Sequence, residues 1–196
     1  LYRLGPIAVA GYLACYQLPE PQLESPVNTP REFVPIAIAV LTVSDTRTDT
    51  DDRSGQTLVE RAEAAGHNIV DKQIVVDDRY QIRRVVSAWV ADPGVQAVIT
   101  TGGTGFTDRD VTPDAVRVLF DREIPGFGEL FRQISREKIG TSMLQSRVVA
   151  GIANRTLIAA LPGSPGACRD GWHGILQDQL DVRHRPCNLA ELAIGA

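Results

Sequence analysis

From Pro35 onward the chain alternates between two hydrophobic rhythms. Apolar runs of strand length occupy Ile36–Val43 and Val95–Thr101, as expected for strands of a parallel sheet buried on both faces, and another strand runs through Ile69 to Val76. Between them the spacing turns helical. Ser54–Ala65 reads as a helix with Ser54 as N-cap and Gly66 as its stop. Ile82, Val85, Val86, Trp89 and Val90 mark a second helix, closed by Pro93-Gly94. Thr112-Pro113 gives a helix start with Thr112 as N-cap and proline at the first helical position. Phe127–Ile139 continues as another helix. Arg147–Ala153 and Thr156–Leu161 read as two strands joined by a tight turn at Asn154-Arg155, and a last helix runs from about Gly166 to Leu180. This order predicts a three-layer αβα fold around a mainly parallel, twisted sheet.

Residues 1–32 have a different texture. The apolar stretch Leu4–Tyr16 is short for a bilayer span and is followed by Pro19, Pro21, Pro26 and Pro30. They are expected to form a flexible or expression-derived N-terminal extension to one α/β domain, residues 33–196.

Composition narrows the function classes. The 196 residues carry 20 basic and 24 acidic side chains, a formal net charge of -4. A binder of nucleic acid or of an anionic membrane is expected to show the opposite balance, so neither partner is expected. Three cysteines without CxxC pairing point to a reduced, cytoplasmic protein. The three histidines lack metal-ligand spacing.

In parallel sheets the ligand crevice lies outside the carboxyl ends of the strands. Four loops fall there: Ser44-Asp45, Asp77-Asp78, Gly102-Gly103-Thr104-Gly105 and Pro162-Gly163-Ser164. A Gly-Gly-Thr-Gly turn lets backbone N–H groups approach an anion, although turn chemistry alone also explains it. Asp108-Arg109-Asp110 follows. A carboxylate beside a phosphate cradle calls for a bridging cation such as Mg²⁺, unless Arg109 neutralises the phosphate or the acids only favour the next helix start. Asp77 or Asp78 equally fits an N-cap for the helix near Tyr80. No Ser-His-Asp arrangement is legible around Ser164, so covalent catalysis is not expected.

The run Thr100–Ala115, TTGGTGFTDRDVTPDA, is similar to the signature of the molybdenum cofactor biosynthesis proteins MoaB and MogA. Pro125–Glu129, Leu144–Arg147 and Leu161–Pro165 match further motifs of that family in the same order, and the resemblance spans about Phe33 to Leu192. It implies a molybdopterin-binding domain that forms a homotrimer or homohexamer. It also implies Mg²⁺-dependent transfer of AMP from ATP to the terminal phosphate of molybdopterin, with release of pyrophosphate and hand-over to a molybdate-insertion protein. By that resemblance Asp78 and Asp110 are the catalytic and Mg²⁺-placing carboxylates, with Asp77 as the neighbouring alternative to Asp78. Thr101 and Gly102, Gly103, Thr104 and Gly105 would hold phosphates. Ser146 and Arg147 would meet the molybdopterin phosphate or pterin, and Pro162, Gly163 and Ser164 would line the pocket. His67, Trp89 and the Arg183–Asn188 segment look more like the MoaB branch, some of whose members are doubtful enzymes. The alternative function is therefore a catalytically inactive molybdopterin carrier.

Overall fold

The computed structural model describes residues 31–195. The expected N-terminal extension falls outside them, apart from Arg31 and Glu32. Six strands form one sheet: β1 (Ala37–Val43), β2 (Asn68–Val75), β3 (Ala97–Thr101), β4 (Arg122–Glu123), β5 (Val149–Ala153) and β6 (Thr156–Leu161). Their order is β2-β1-β3-β6-β5-β4. The first four in that order run parallel, whereas β5 and β4 are antiparallel to their neighbours. The β5–β6 hairpin turns through Asn154 and Arg155, at φ 45° and 69°. Two positive φ values suit the right-handed twist of the strands in a two-residue hairpin.

The helices are α1 (Arg53–Ala64), α2 (Arg79–Ala91), α3 (Thr112–Arg117), α4 (Pro125–Ile139), α5 (Pro165–Gly171), α6 (Gln177–Gln179) and α7 (Ala190–Ile194). Strand periodicity sorts the core into two layers. Ile38 and Val40 of β1 pack with Leu58 of α1, Phe131 of α4 and Trp172. Ala39 and Leu41 face the other way, against Ile82, Val86 and Trp89 of α2 and Val116 of α3. The β1 residues Ile38 to Leu41 are fully buried, which explains the unbroken apolar run that betrays the strand in the sequence.

Local details depart from the sequence expectations. Asp52, not Ser54, caps α1, its carboxylate accepting the Gly55 N–H at 2.8 Å. Val111 occupies the N-cap of α3, and Thr112 is already helical with no capping bond. The final helix is not uniform: a π-helical turn, Trp172–Leu176, joins α5 to α6. The short β4, the 3-10 turn Gly140–Gln145 and α7 carry too few periodic residues to be legible in the sequence. Phe127 and Phe131 are core residues and Phe120 is partly buried, whereas Phe106 is largely exposed. Among the described residues no helix is long and apolar enough to cross a membrane.

From β1 the chain moves outward to β2, then back across to β3 on β1's other side. The sheet therefore changes direction between β1 and β3, and their carboxyl ends open the crevice.

Candidate functional site

A cavity of about 720 Å³ opens at those strand ends, within the usual range for a small-molecule site. Its floor is Thr42, Val43 and Ser44 from β1 together with Thr101 to Gly105 after β3. One wall is Pro162-Gly163-Ser164, and Phe131, Ser135 and Lys138 of α4 form another. The four loops expected to converge do so for three, and Asp110 and Ser146 join them. Neither Asp77 nor Asp78 is on the cavity wall, and Asp77 packs against Gly103 of the glycine loop.

The glycine loop is constrained by its neighbours. Gly102 sits at φ +103° against the Val43 carbonyl, and its N–H donates to the Leu161 carbonyl at 3.0 Å. That amide is engaged in the fold, and the Gly105 amide is turned toward the Asp110 carboxylate. Among the described residues the Gly103 and Thr104 amides have no backbone partner, so the anion cradle is narrower than four residues. The Thr101 hydroxyl is likewise engaged, donating to the Pro162 carbonyl at 3.0 Å. Gly163 packs where any Cβ would meet Gly102 Cα at 3.2 Å, which brings the two loops together. Ser164 caps α5 by accepting the Ala167 N–H at 3.1 Å.

Arg147 is placed differently from the expectation. Its Nε donates to the Gly105 carbonyl at 2.7 Å, its guanidinium also bonds the Asp110 carbonyl, and one nitrogen pairs with Asp114 at 3.0 Å. The side chain clamps the glycine loop from outside the cavity. Ser146 does line the cavity, and its Oγ is buried without a partner.

The structure also separates the adjacent aspartates. Asp78 is the N-cap of α2, its Oδ1 accepting the N–H groups of Tyr80 and Gln81 at 2.9 and 2.8 Å. Asp77 points toward the glycine loop, and its Oδ1 is buried with no partner. Burial, then the nearby charges of Asp45 and Asp110, push the Asp77 carboxyl up to about 6, against the opposing pull of Arg109. Burial also works to raise Asp110. Hydrogen bonds from the Thr107 hydroxyl (2.6 Å) and N–H (2.9 Å) outweigh it and hold Asp110 below its ordinary value. Of the two, Asp77, the alternative that the resemblance left beside Asp78, has the carboxylate oxygen that faces the glycine loop. The signal was present in the sequence as a helix start: one of two consecutive acids must cap, and capping falls to the one adjoining the first helical residue.

Sequence reasoning also missed Arg47 and Lys138, the cations lining the cavity, and Ser135, Ser142 and Gln145. Ser135 was detectable as a polar residue on the apolar stripe of α4, between Phe131 and Ile139. Lys138 pairs with Asp170 across the wall. Beneath the floor, the buried Asp52 accepts from Thr42 Oγ1 at 2.7 Å and from Lys72 at 3.0 Å.

Mg²⁺ fits the donors present. Asp77 offers an unpartnered buried carboxylate oxygen, and Asp110 offers an ionised carboxylate beside the loop. Among the described residues no group of three or more His, Cys, Asp or Glu side chains could hold a metal. Two carboxylates, with the remaining positions left to phosphate oxygens and water, is the usual protein contribution to a Mg²⁺ site. Cys168 cannot serve as a nucleophile, since it is fully buried and its thiol is pushed up to about 11, mainly by burial.

Comparison with known proteins gives the family. Residues 39–182 match the family model described as a probable molybdopterin binding domain. Molybdenum cofactor biosynthesis protein B of Escherichia coli K12 is 58% identical over 157 residues, covering 80% of this chain and 92% of that one. The protein of the same name from Bacillus subtilis is 46% identical over 142 residues, covering 72% and 84%. A crystal structure of a molybdenum cofactor biosynthesis protein B superposes with a TM-score of 0.77 at 38% identity, covering 84% of this chain and 98% of that one. The chain belongs to the molybdopterin-binding-domain family of MoaB- and MogA-type proteins.

Proposed function

We propose that this protein works in molybdenum cofactor biosynthesis and transfers AMP from ATP to the terminal phosphate of molybdopterin, releasing pyrophosphate. The observation that carries the reading is the placement of two carboxylates, Asp77 and Asp110, around a glycine loop with free amides at the edge of a 720 Å³ cavity. Bound Mg²⁺ would neutralise phosphate charge between those carboxylates, and Asp77 replaces Asp78 in that role.

The chain's own residues contribute positioning and charge. Gly103 and Thr104 present N–H groups to a phosphate, and the Ser146 hydroxyl faces the same cavity. Arg147 fixes the loop through Gly105, so the donors do not have to reorganise during reaction. Arg47 and Lys138 supply positive charge on the cavity wall for an anionic substrate. The attacking group is a phosphate oxygen, already anionic, so no side chain has to remove its proton. The electron pair of the breaking bond leaves with pyrophosphate. Alignment of two anions against their mutual repulsion is the main task, and it suits this donor set.

The protein is further proposed to act in the cytoplasm as a homotrimer or homohexamer and to pass its product to a molybdate-insertion protein. Transfer of label from ATP carrying a labelled α-phosphate onto molybdopterin tests the reading. Retention of all label in ATP, with molybdopterin bound, would instead support the carrier function.

A further inference from the structure

Thr112 has no part in the roles described so far, yet its environment is unusual. The residue is fully buried, and among the described residues its Oγ1 has no hydrogen-bond partner. Buried hydroxyls are normally paired, because one withdrawn from water without compensation is unfavourable. Asp77 Oδ1 is orphaned in the same way.

The two orphaned oxygens face one point. A Cβ on Gly103 would overlap Asp77 Oδ1 and Thr112 Oγ1 together, so both converge on the space above the Gly103 Cα. Gly103 adopts φ +62°, and its lack of a side chain lets the two oxygens pack directly over its Cα. The surroundings hold Thr112 there: its N–H donates to the Gly103 carbonyl at 3.0 Å, and Arg147 pins the loop on either side, at Gly105 and Asp110. The result is a pair of buried, unpartnered oxygens packed over Gly103, in the loop that leads to Asp110.

We propose that Thr112 supplies a third oxygen to the divalent-cation site, joining Asp77 and Asp110 from the far side of Gly103. A hydroxyl is a hard, neutral donor, suited to Mg²⁺, and Ser or Thr hydroxyls take that position in P-loop sites. It adds a ligand without adding a further negative charge to a site where Asp45, Asp77 and Asp110 already crowd. The proposal rests on the Mg²⁺ placement given above but not on adenylyl transfer.

The test is an electron paramagnetic resonance titration of the purified protein with Mn²⁺, competed by Mg²⁺. It uses the wild type, Thr112→Val, Thr112→Ser and Asp77→Asn. Thr112→Val is expected to weaken Mn²⁺ binding about tenfold, while Thr112→Ser stays close to wild type and Asp77→Asn loses the site. In metal-free buffer Thr112→Val is expected to melt higher than wild type, because a methyl replaces an unpartnered hydroxyl of the same shape. Weaker metal binding in a more stable protein cannot come from misfolding. Mn²⁺ binding unchanged by Thr112→Val, or no Mn²⁺ binding by the wild type, would overturn the proposal. If the Mn²⁺ pattern appears while AMP transfer does not, the adenylyl-transfer reading falls and the role of Thr112 stands.

Discussion

Asp45 both holds Asp77 and disturbs it. Its Oδ1 accepts the Asp77 backbone N–H at 3.1 Å, while its charge adds to burial in pushing the Asp77 carboxyl up to about 6. The site therefore stores an unfavourable charge that a cation or a proton relieves.

This has a signed consequence for stability. A carboxyl raised from 3.8 to about 6 on folding binds its proton more tightly in the native state. Stability is then lost as pH rises through that window: there is no penalty below about 3.8 and the full penalty above about 6. With solvent screening of a half-buried group, the penalty amounts to about 1–2 kcal/mol. In metal-free buffer Asp77→Asn should therefore raise the melting temperature at pH 8 by a few degrees, by about 2–4 °C per kcal/mol, and by much less at pH 4. Thermal denaturation at the two pH values checks it. An equal change at both would contradict the assigned cause.

Asp52 has the opposite sign. Burial works to raise it, but the Gly55 N–H, the Thr42 hydroxyl and Lys72 outweigh that and hold it below its ordinary value. Its stabilisation is present above the unfolded value of 3.8 and is lost as pH falls through the lower folded value. Asp52→Ala removes the α1 cap and leaves Lys72 without its buried partner, so a loss of about 3–5 kcal/mol is expected. Urea denaturation at pH 7 measures it.

Arg109 grips Asp45 through two hydrogen bonds of 2.9 and 2.6 Å, but both side chains are substantially exposed. Arg109→Ala should change stability little, because solvent screens the pair. It removes the cation that opposes the Asp45–Asp77–Asp110 repulsion, so Asp77 should titrate still higher. The shift is readable by carboxyl NMR in metal-free buffer, with an unchanged Asp77 titration as the contrary result.

Gly103→Ala combines two faults. The alanine would adopt φ +62° and would press its Cβ onto Asp77 and Thr112. A loss of about 1–3 kcal/mol is expected from backbone strain alone, with loss of phosphate binding. Calorimetry with ATP reads the second effect, and the melting temperature reads the first.

The body of the fold was legible because β1, β3 and β6 are buried on both faces and α1, α2 and α4 on one. Burial imprints its period directly on the sequence. Asp52 as the α1 cap was not legible, since several polar residues near the helix start satisfy the same local rule and tertiary contacts choose among them, and Val111 precedes α3 without any side-chain cap to signal it. For the site, the Gly102–Gly105 loop, Asp110, Ser146 and Pro162–Ser164 were readable from motif and position. The turn of Arg147 away from the cavity was not, because its three partners come from residues 33 to 42 positions away in sequence. Asp77 and Asp78 differ only in which one the α2 backbone claims. Lys138 and Arg47 reach the cavity through the packing of α4 and the β1–α1 loop, which no local pattern encodes.

Adenylyl transfer is measured by incubating the purified protein anaerobically with molybdopterin, ATP and Mg²⁺ and following pyrophosphate. Release matched by adenylylated molybdopterin is expected, lost in Asp77→Asn and Asp110→Asn and retained in Asp78→Asn. Tight molybdopterin binding without pyrophosphate, or full activity in Asp77→Asn, would contradict it.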